Sequence, residues 1–129
     1  LNDEKKHIRT YSKGMKQKVL FLGAIIHNPK LLILDEPFNA IEPQTAMLMK
    51  NILLEMKNDG CGIIFSSHIL EIVEKLADRV ILINNGEKMG EGSIANIKEK
   101  GGLEEFFKTL TNAYQVDENT EKIIDVIKS

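Results

Sequence analysis

A chain of 129 residues with 43% hydrophobic and 28% charged residues has room for one domain with a modest core. A net charge of −2 gives bulk electrostatics no reason to propose a nucleic-acid partner, and no apolar run approaches a membrane span. The lone Cys61 cannot pair within the chain and fits a reducing compartment.

Residues 1–10 are polar, and His7 sits among charges and reads as solvated. The chain starts at Leu1 with no signal-peptide pattern, as an excised or processed piece would. Tyr11-Ser12-Lys13-Gly14-Met15-Lys16-Gln17-Lys18 then leads into Val19-Leu20-Phe21-Leu22-Gly23-Ala24-Ile25-Ile26. The second half is apolar nearly all round, so a deeply buried helix is expected. Ser12 is a good N-cap, and a helix start with a serine, a glycine and free N–H groups is a ready anion site, although a Ser N-cap beside a Gly is also common without one. His27-Asn28-Pro29 ends the helix, with His27 serving the terminal carbonyls.

Leu31-Leu32-Ile33-Leu34 reads as a strand buried on both faces, broken by Asp35-Glu36-Pro37. Two carboxylates at the C-terminal mouth of such a strand stand where open α/β sheets bind ligands. Asp35, as the last strand residue, suits Mg²⁺, and Glu36 is then available to act on a water. A strand that merely ends in a polar turn has the same look. After a turn over residues 38–43, a helix from about Gln44 to Asn58 puts Ala46, Met49, Leu53 and Met56 on one face, with Ile52 beside them. The methionines read as core filler.

Gly62-Ile63-Ile64-Phe65-Ser66 is expected as a second buried strand, completing a βαβ unit. Parallel strands end on one side of the sheet, so Ser66-Ser67-His68 is expected near Asp35 and Glu36. His68 is then either structural or a phosphate contact. A short helix over 69–77 (Ile72, Val73 and Leu76 inward), a third strand over 80–83 and an Asn85-Gly86 hairpin turn follow, with an exposed return strand over 88–91. Gly92-Ser93 caps a helix over 94–100, Gly101-Gly102 is a hinge, and the next helix turns Leu103, Phe106, Phe107 and Leu110 to its apolar side. Residues 112–119 read as a linker and 120–128 as a terminal helix, which divides the chain into 1–112 and 113–129.

Taken together, these motifs resemble the C-terminal half of an ATP-binding-cassette (ABC) transporter nucleotide-binding domain, over about residues 10–111. Tyr11-Ser12-Lys13-Gly14-Met15 with Gln17 and Lys18 is similar to the family's signature loop, in an exporter-like variant. Residues 31–36 resemble Walker B, Asn39-Ala40-Ile41-Glu42 the D-loop, and Ser66-Ser67-His68 the switch-histidine loop; residues 78–82 with the hairpin also match. The resemblance implies an α/β fold, a partial P-loop NTPase with a parallel sheet and flanking helices. It assigns Mg²⁺ to Asp35, the general base to Glu36 and the γ-phosphate contact to His68. It also assigns the ATP of a partner domain to Ser12, Lys13, Gly14, Met15 and Gln17, and cross-dimer contact to Glu42. ATP and Mg²⁺ are the implied cofactors. A second nucleotide-binding domain, head to tail, and a transmembrane permease are the implied partners, on the inner face of the cell membrane.

The pattern also departs from the family. Tyr11 stands for the usual leucine, Lys13 for the first glycine, Met15 for the glutamine, Ala40 for a small glycine position and Glu42 for the D-loop aspartate. No G-x-x-x-x-G-K-[ST] occurs in the 129 residues, so the P-loop strand and the N-terminal β-subdomain are expected outside them. The chain alone is therefore expected to bind ATP poorly and not to hydrolyse it. The strands at 62–66 and 80–83, which flank the missing strand in the family fold, are expected to pair directly or to recruit a strand from another copy. Two other functions compete with a transporter ATPase half: a truncated, non-catalytic dimerisation module, and a soluble ABC ATPase acting on nucleic acid or the ribosome. Lys13, Lys16 and Lys18 read as solvated first-turn lysines, against a nucleic-acid role.

Overall fold

The computed structural model describes residues 13–112. The expectations for His7, Tyr11 and Ser12, for the rest of the linker beyond residue 112 and for the terminal helix lie outside the described residues. The chain divides into two compact units, Leu1–His68 and Ile69–Ser129.

The first unit is the expected βαβ unit, preceded by a helix. Helix α1 spans Lys13–Ile25, strand β1 Leu31–Leu34, helix α2 Pro43–Asn58 and strand β2 Gly62–Phe65. β1 and β2 pair in parallel, from Leu31 opposite Gly62 to Leu34 opposite Phe65. The bond from Ser66 N–H to the Leu34 carbonyl (3.0 Å) carries the ladder one residue past β2. α2 starts where Pro43 fixes φ at a position that needs no N–H donor. It ends because Gly60, at φ 93°, turns left-handed. Gly60 N–H then reaches the Lys57 carbonyl and Cys61 N–H that of Met56, a Schellman closure.

Among the described residues, Phe21, Leu32, Phe38, Met49 and Leu53 are the buried hydrophobic core of this unit. Phe38 also meets Phe65 edge to face, ring centres 6.4 Å apart. The α2 face expected inward is the one that Met49 and Leu53 bury.

Two burial expectations are corrected. β1 is covered on one face only, with Leu32 at 4% exposure and Ile33 at 69%, and Ile64 of β2 is also exposed. α1 buries only Phe21, while Leu20, Leu22 and Ile26 are exposed. A parallel strand buries both faces only between two helical layers. A single βαβ crossover supplies one, so the apolar run overstates burial in this unit.

The second unit contains α3 (Leu70–Leu76), β3 (Arg79–Asn84), β4 (Glu87–Ser93), α4 (Ile94–Glu99) and a helix α5 over residues 103–112. β3 and β4 form an antiparallel hairpin. Its two turn residues, Asn85 (φ 50°) and Gly86 (φ 77°), have the two positive φ angles of a type I′ turn. Val80 and Leu82 face inward and Ile81 and Ile83 outward, the alternation of a half-buried strand. Ser93 caps α4 by accepting the Asn96 N–H (3.3 Å). Glu74 accepts the Leu103 N–H at the start of α5 (3.3 Å), and Leu103 is fully buried. α5 lies against Gly90, where an added Cβ would meet Leu110 Cδ1 at 2.6 Å.

Here too there are corrections. Phe107, expected inward, is exposed; Leu103 is buried, Phe106 and Leu110 are half-buried on the same stripe, and Phe107 is left to one side. The helix runs through residue 112, where a linker was expected to begin. Among the described residues β2 pairs with β1 and β3 with β4, so of the two outcomes expected for the strands at 62–66 and 80–83 direct pairing is not found, while a strand from another copy concerns an assembly of two chains. The hairpin gives β3 a partner two residues away, at little loop-closure cost.

Candidate active site

The residues that carry chemistry in the first unit gather at the C-terminal ends of β1 and β2. The parallel register explains this. Leu34 stands opposite Phe65, so the next residues, Asp35 and Ser66, leave the sheet side by side. Asp35 lies just past the strand, one residue later than expected. The Ser66 hydroxyl donates to Asp35 Oδ1 at 2.5 Å and accepts the Glu36 N–H at 2.8 Å. One hydroxyl thereby orients the first carboxylate and anchors the backbone of the second. Sequence reasoning gave Ser66 no role, although the register offset from Asp35 was a signal that could have found it.

Glu36 sits at φ 45°, in the left-handed region that a non-glycine residue rarely adopts. Its carbonyl accepts two donors, Gln17 Nε2 of α1 at 2.8 Å and the Asn39 N–H at 3.2 Å. Its carboxylate meets His68 Nδ1 at 3.1 Å (Oε2) and 3.2 Å (Oε1). A carboxylate only accepts, so Nδ1 carries the hydrogen in this contact. Both partners are substantially exposed, His68 at 68% and Glu36 at 35%, so their contact orients the groups and adds little stability. Of the acid pair that His68 was expected to lie near, Glu36 is the one it contacts.

The other residues singled out from the sequence occupy the edges of this cluster. Gly14, on the first described turn of α1, backs onto the Ala40 carbonyl, where an added Cβ would lie 2.8 Å from the oxygen. Ala40 is itself left-handed, at φ 59°. Lys13 is exposed and Met15 half-buried on the same helix. Glu42 stands at the N-cap of α2 and makes no side-chain capping bond there. Ser12 lies outside the described residues.

Among the described residues no three His, Cys, Asp or Glu groups gather as a metal cage. A single strand-end carboxylate, already oriented by a hydroxyl, does suit Mg²⁺, a hard ion usually held by one or two carboxylates together with waters and substrate phosphates. No described helix is long and apolar enough to cross a membrane.

Comparison with known proteins finds one family in both sequence and fold. A family model described as ABC transporter matches residues 1–39. An uncharacterized ABC transporter ATP-binding protein of Bacillus subtilis, YhaQ, is 39% identical over 99 residues, covering 77% of this chain and 33% of that protein. One from Methanocaldococcus jannaschii is 38% identical over 128 residues, covering 94% of this chain and 49% of its own length. A solved ATP-binding subunit of an ABC transporter superimposes with a TM-score of 0.74 at 32% identity, covering 82% of this chain and 46% of that one. A nucleotide-free ATP-binding cassette gives 0.58 at 28%, covering 79% and 37%. The chain thus spans from a third to about half the length of these two curated relatives. Its fold is that of P-loop NTPases of the ABC type, and the chain is a partial ATP-binding domain of the ABC transporter type.

Proposed function

We propose that this chain is the catalytic-carboxylate and signature half of an ATP-hydrolysing subunit that powers an ABC transporter. The observation that carries the reading is the cluster at the strand ends, where Asp35, Glu36, Ser66 and His68 meet within hydrogen-bonding distance. Glu36 is the general base: its carboxylate accepts the proton of the water that attacks the γ-phosphate. His68 holds that carboxylate through Nδ1, and its other ring nitrogen is the group that meets the γ-phosphate. Asp35 is the residue that would hold Mg²⁺, which when bound neutralises charge on the phosphate oxygens. Phosphoryl transfer depends mostly on positioning and charge stabilisation, and this cluster is built for both.

Ser12, Lys13, Gly14 and Met15 present the start of α1 to the ATP of a second nucleotide-binding domain docked head to tail, and Glu42 belongs to the same contact. The assembly works on the inner face of the cell membrane beside a transmembrane permease. The relatives' printed names and the geometry of the acid pair support this reading.

The test is ATP turnover. The pure 129-residue chain is expected to show none, and to gain it when mixed with a polypeptide that supplies the phosphate-binding loop. Turnover by the chain alone, or none in the mixture, contradicts the reading.

A further inference from the structure

Glu36 is held at both ends of its residue. Ser66 fixes its N–H from the β2 side, and its carbonyl is fixed by Asn39, from within the same turn, and by Gln17, nineteen residues earlier on α1. A left-handed non-glycine residue persists only where its surroundings over-determine it. Gln17 is the one side chain in this set that comes from α1. The same helix touches the turn a second time, where Gly14 backs onto the carbonyl of left-handed Ala40. The amide orientation of Gln17 is fixed by chemistry, because a carbonyl accepts from the NH₂ and not from the oxygen.

From this juxtaposition we infer that Gln17 is a positioning residue for the catalytic carboxylate. Its carboxamide clamps the Glu36 peptide and couples the seating of α1 to the place of the Glu36 carboxylate. This differs from the contact with a partner's nucleotide that the signature resemblance implies for Gln17. The catalytic half of the inference rests on the ATPase reading; the clamp does not.

Three variants test it: Gln17→Met, which keeps length and removes the donor; Gln17→Glu, which sets an acceptor against the carbonyl; and Gln17→Lys, which keeps a donor of similar reach. In ¹H–¹⁵N spectra of the 129-residue chain, the Met and Glu variants are expected to move the Glu36 and Asn39 amides and the His68 ring signals. The Leu32 and Ile63 amides should stay in place, as a check on the fold, and the Lys variant should keep the wild-type pattern. Unmoved Glu36 and His68 signals in both the Met and Glu variants overturn the clamp, as does a Lys variant that matches them. In the native polypeptide carrying these residues, Gln17→Met is expected to lower kcat for ATP about tenfold with KM unchanged, the scale of one lost hydrogen bond at a positioned group. A raised KM with unchanged kcat means that Gln17 meets nucleotide and overturns the positioning role. If the wild-type polypeptide itself turns over no ATP, the ATPase reading fails, and the spectra alone decide the clamp.

Discussion

Two glycines nine positions apart on α1 are expected to respond to the same substitution with opposite signs. At Gly14, an added Cβ lies 2.8 Å from the Ala40 carbonyl oxygen, whereas ordinary contact begins at 3.4 Å. The helix and the turn must therefore separate by about 0.6 Å (3.4 − 2.8) for Gly14→Ala to fit. Both partners are backbone, so no side chain can swing away. Overpacking of this kind costs about 1–3 kcal/mol. The better helix propensity of alanine returns at most about 1 kcal/mol, and less than that near a helix end. The net loss of about 1–2 kcal/mol corresponds to a fall in Tm of about 5–10 °C for a unit of this size. At Gly23 nothing lies within 4 Å of the added Cβ. Gly23→Ala should then gain about 0.5–1 kcal/mol and raise Tm by a few degrees. Thermal unfolding followed by circular dichroism reads both. A neutral or stabilising Gly14→Ala would refute the close approach of α1 to the 36–40 turn, and with it the seating of Gln17 against Glu36.

Leu53 is 2% exposed, so Leu53→Ala should cost about 3 kcal/mol, while Leu20→Ala, at a residue 69% exposed, should stay within about 0.5 kcal/mol; urea midpoints of the two variants check the contrast. Gly86→Ala places a Cβ at φ 77° in the hairpin turn and should cost about 1 kcal/mol, read as faster amide exchange along β3 and β4.

The sequence disclosed the order and type of the elements because each carries its own local signal. The acids after β1 and the Asn85-Gly86 turn needed no tertiary context. Ser93 at the start of α4 was equally local. The meeting of His68 with Glu36 was also legible, since parallel strands must end together. Extent of burial was not. An apolar run such as Leu31–Leu34 records what a strand can bury, and the covering layer comes from elsewhere in the fold. The fine structure of the site was hidden for a related reason. The left-handed Glu36 and the Gln17 bond to its carbonyl are tertiary facts, made by α1 closing on a turn nineteen residues away. Ser66 lay between these cases, readable only once the register of β1 and β2 was fixed.

The most direct test of the central claim is Mg²⁺-dependent ATP hydrolysis by the native polypeptide carrying these residues, wild type against Glu36→Gln. Removing the carboxylate while keeping its shape should lower kcat by at least about a hundredfold, the scale of a general base, with ATP binding retained. Hydrolysis that survives Glu36→Gln at an undiminished rate would contradict the assignment of Glu36 as the base.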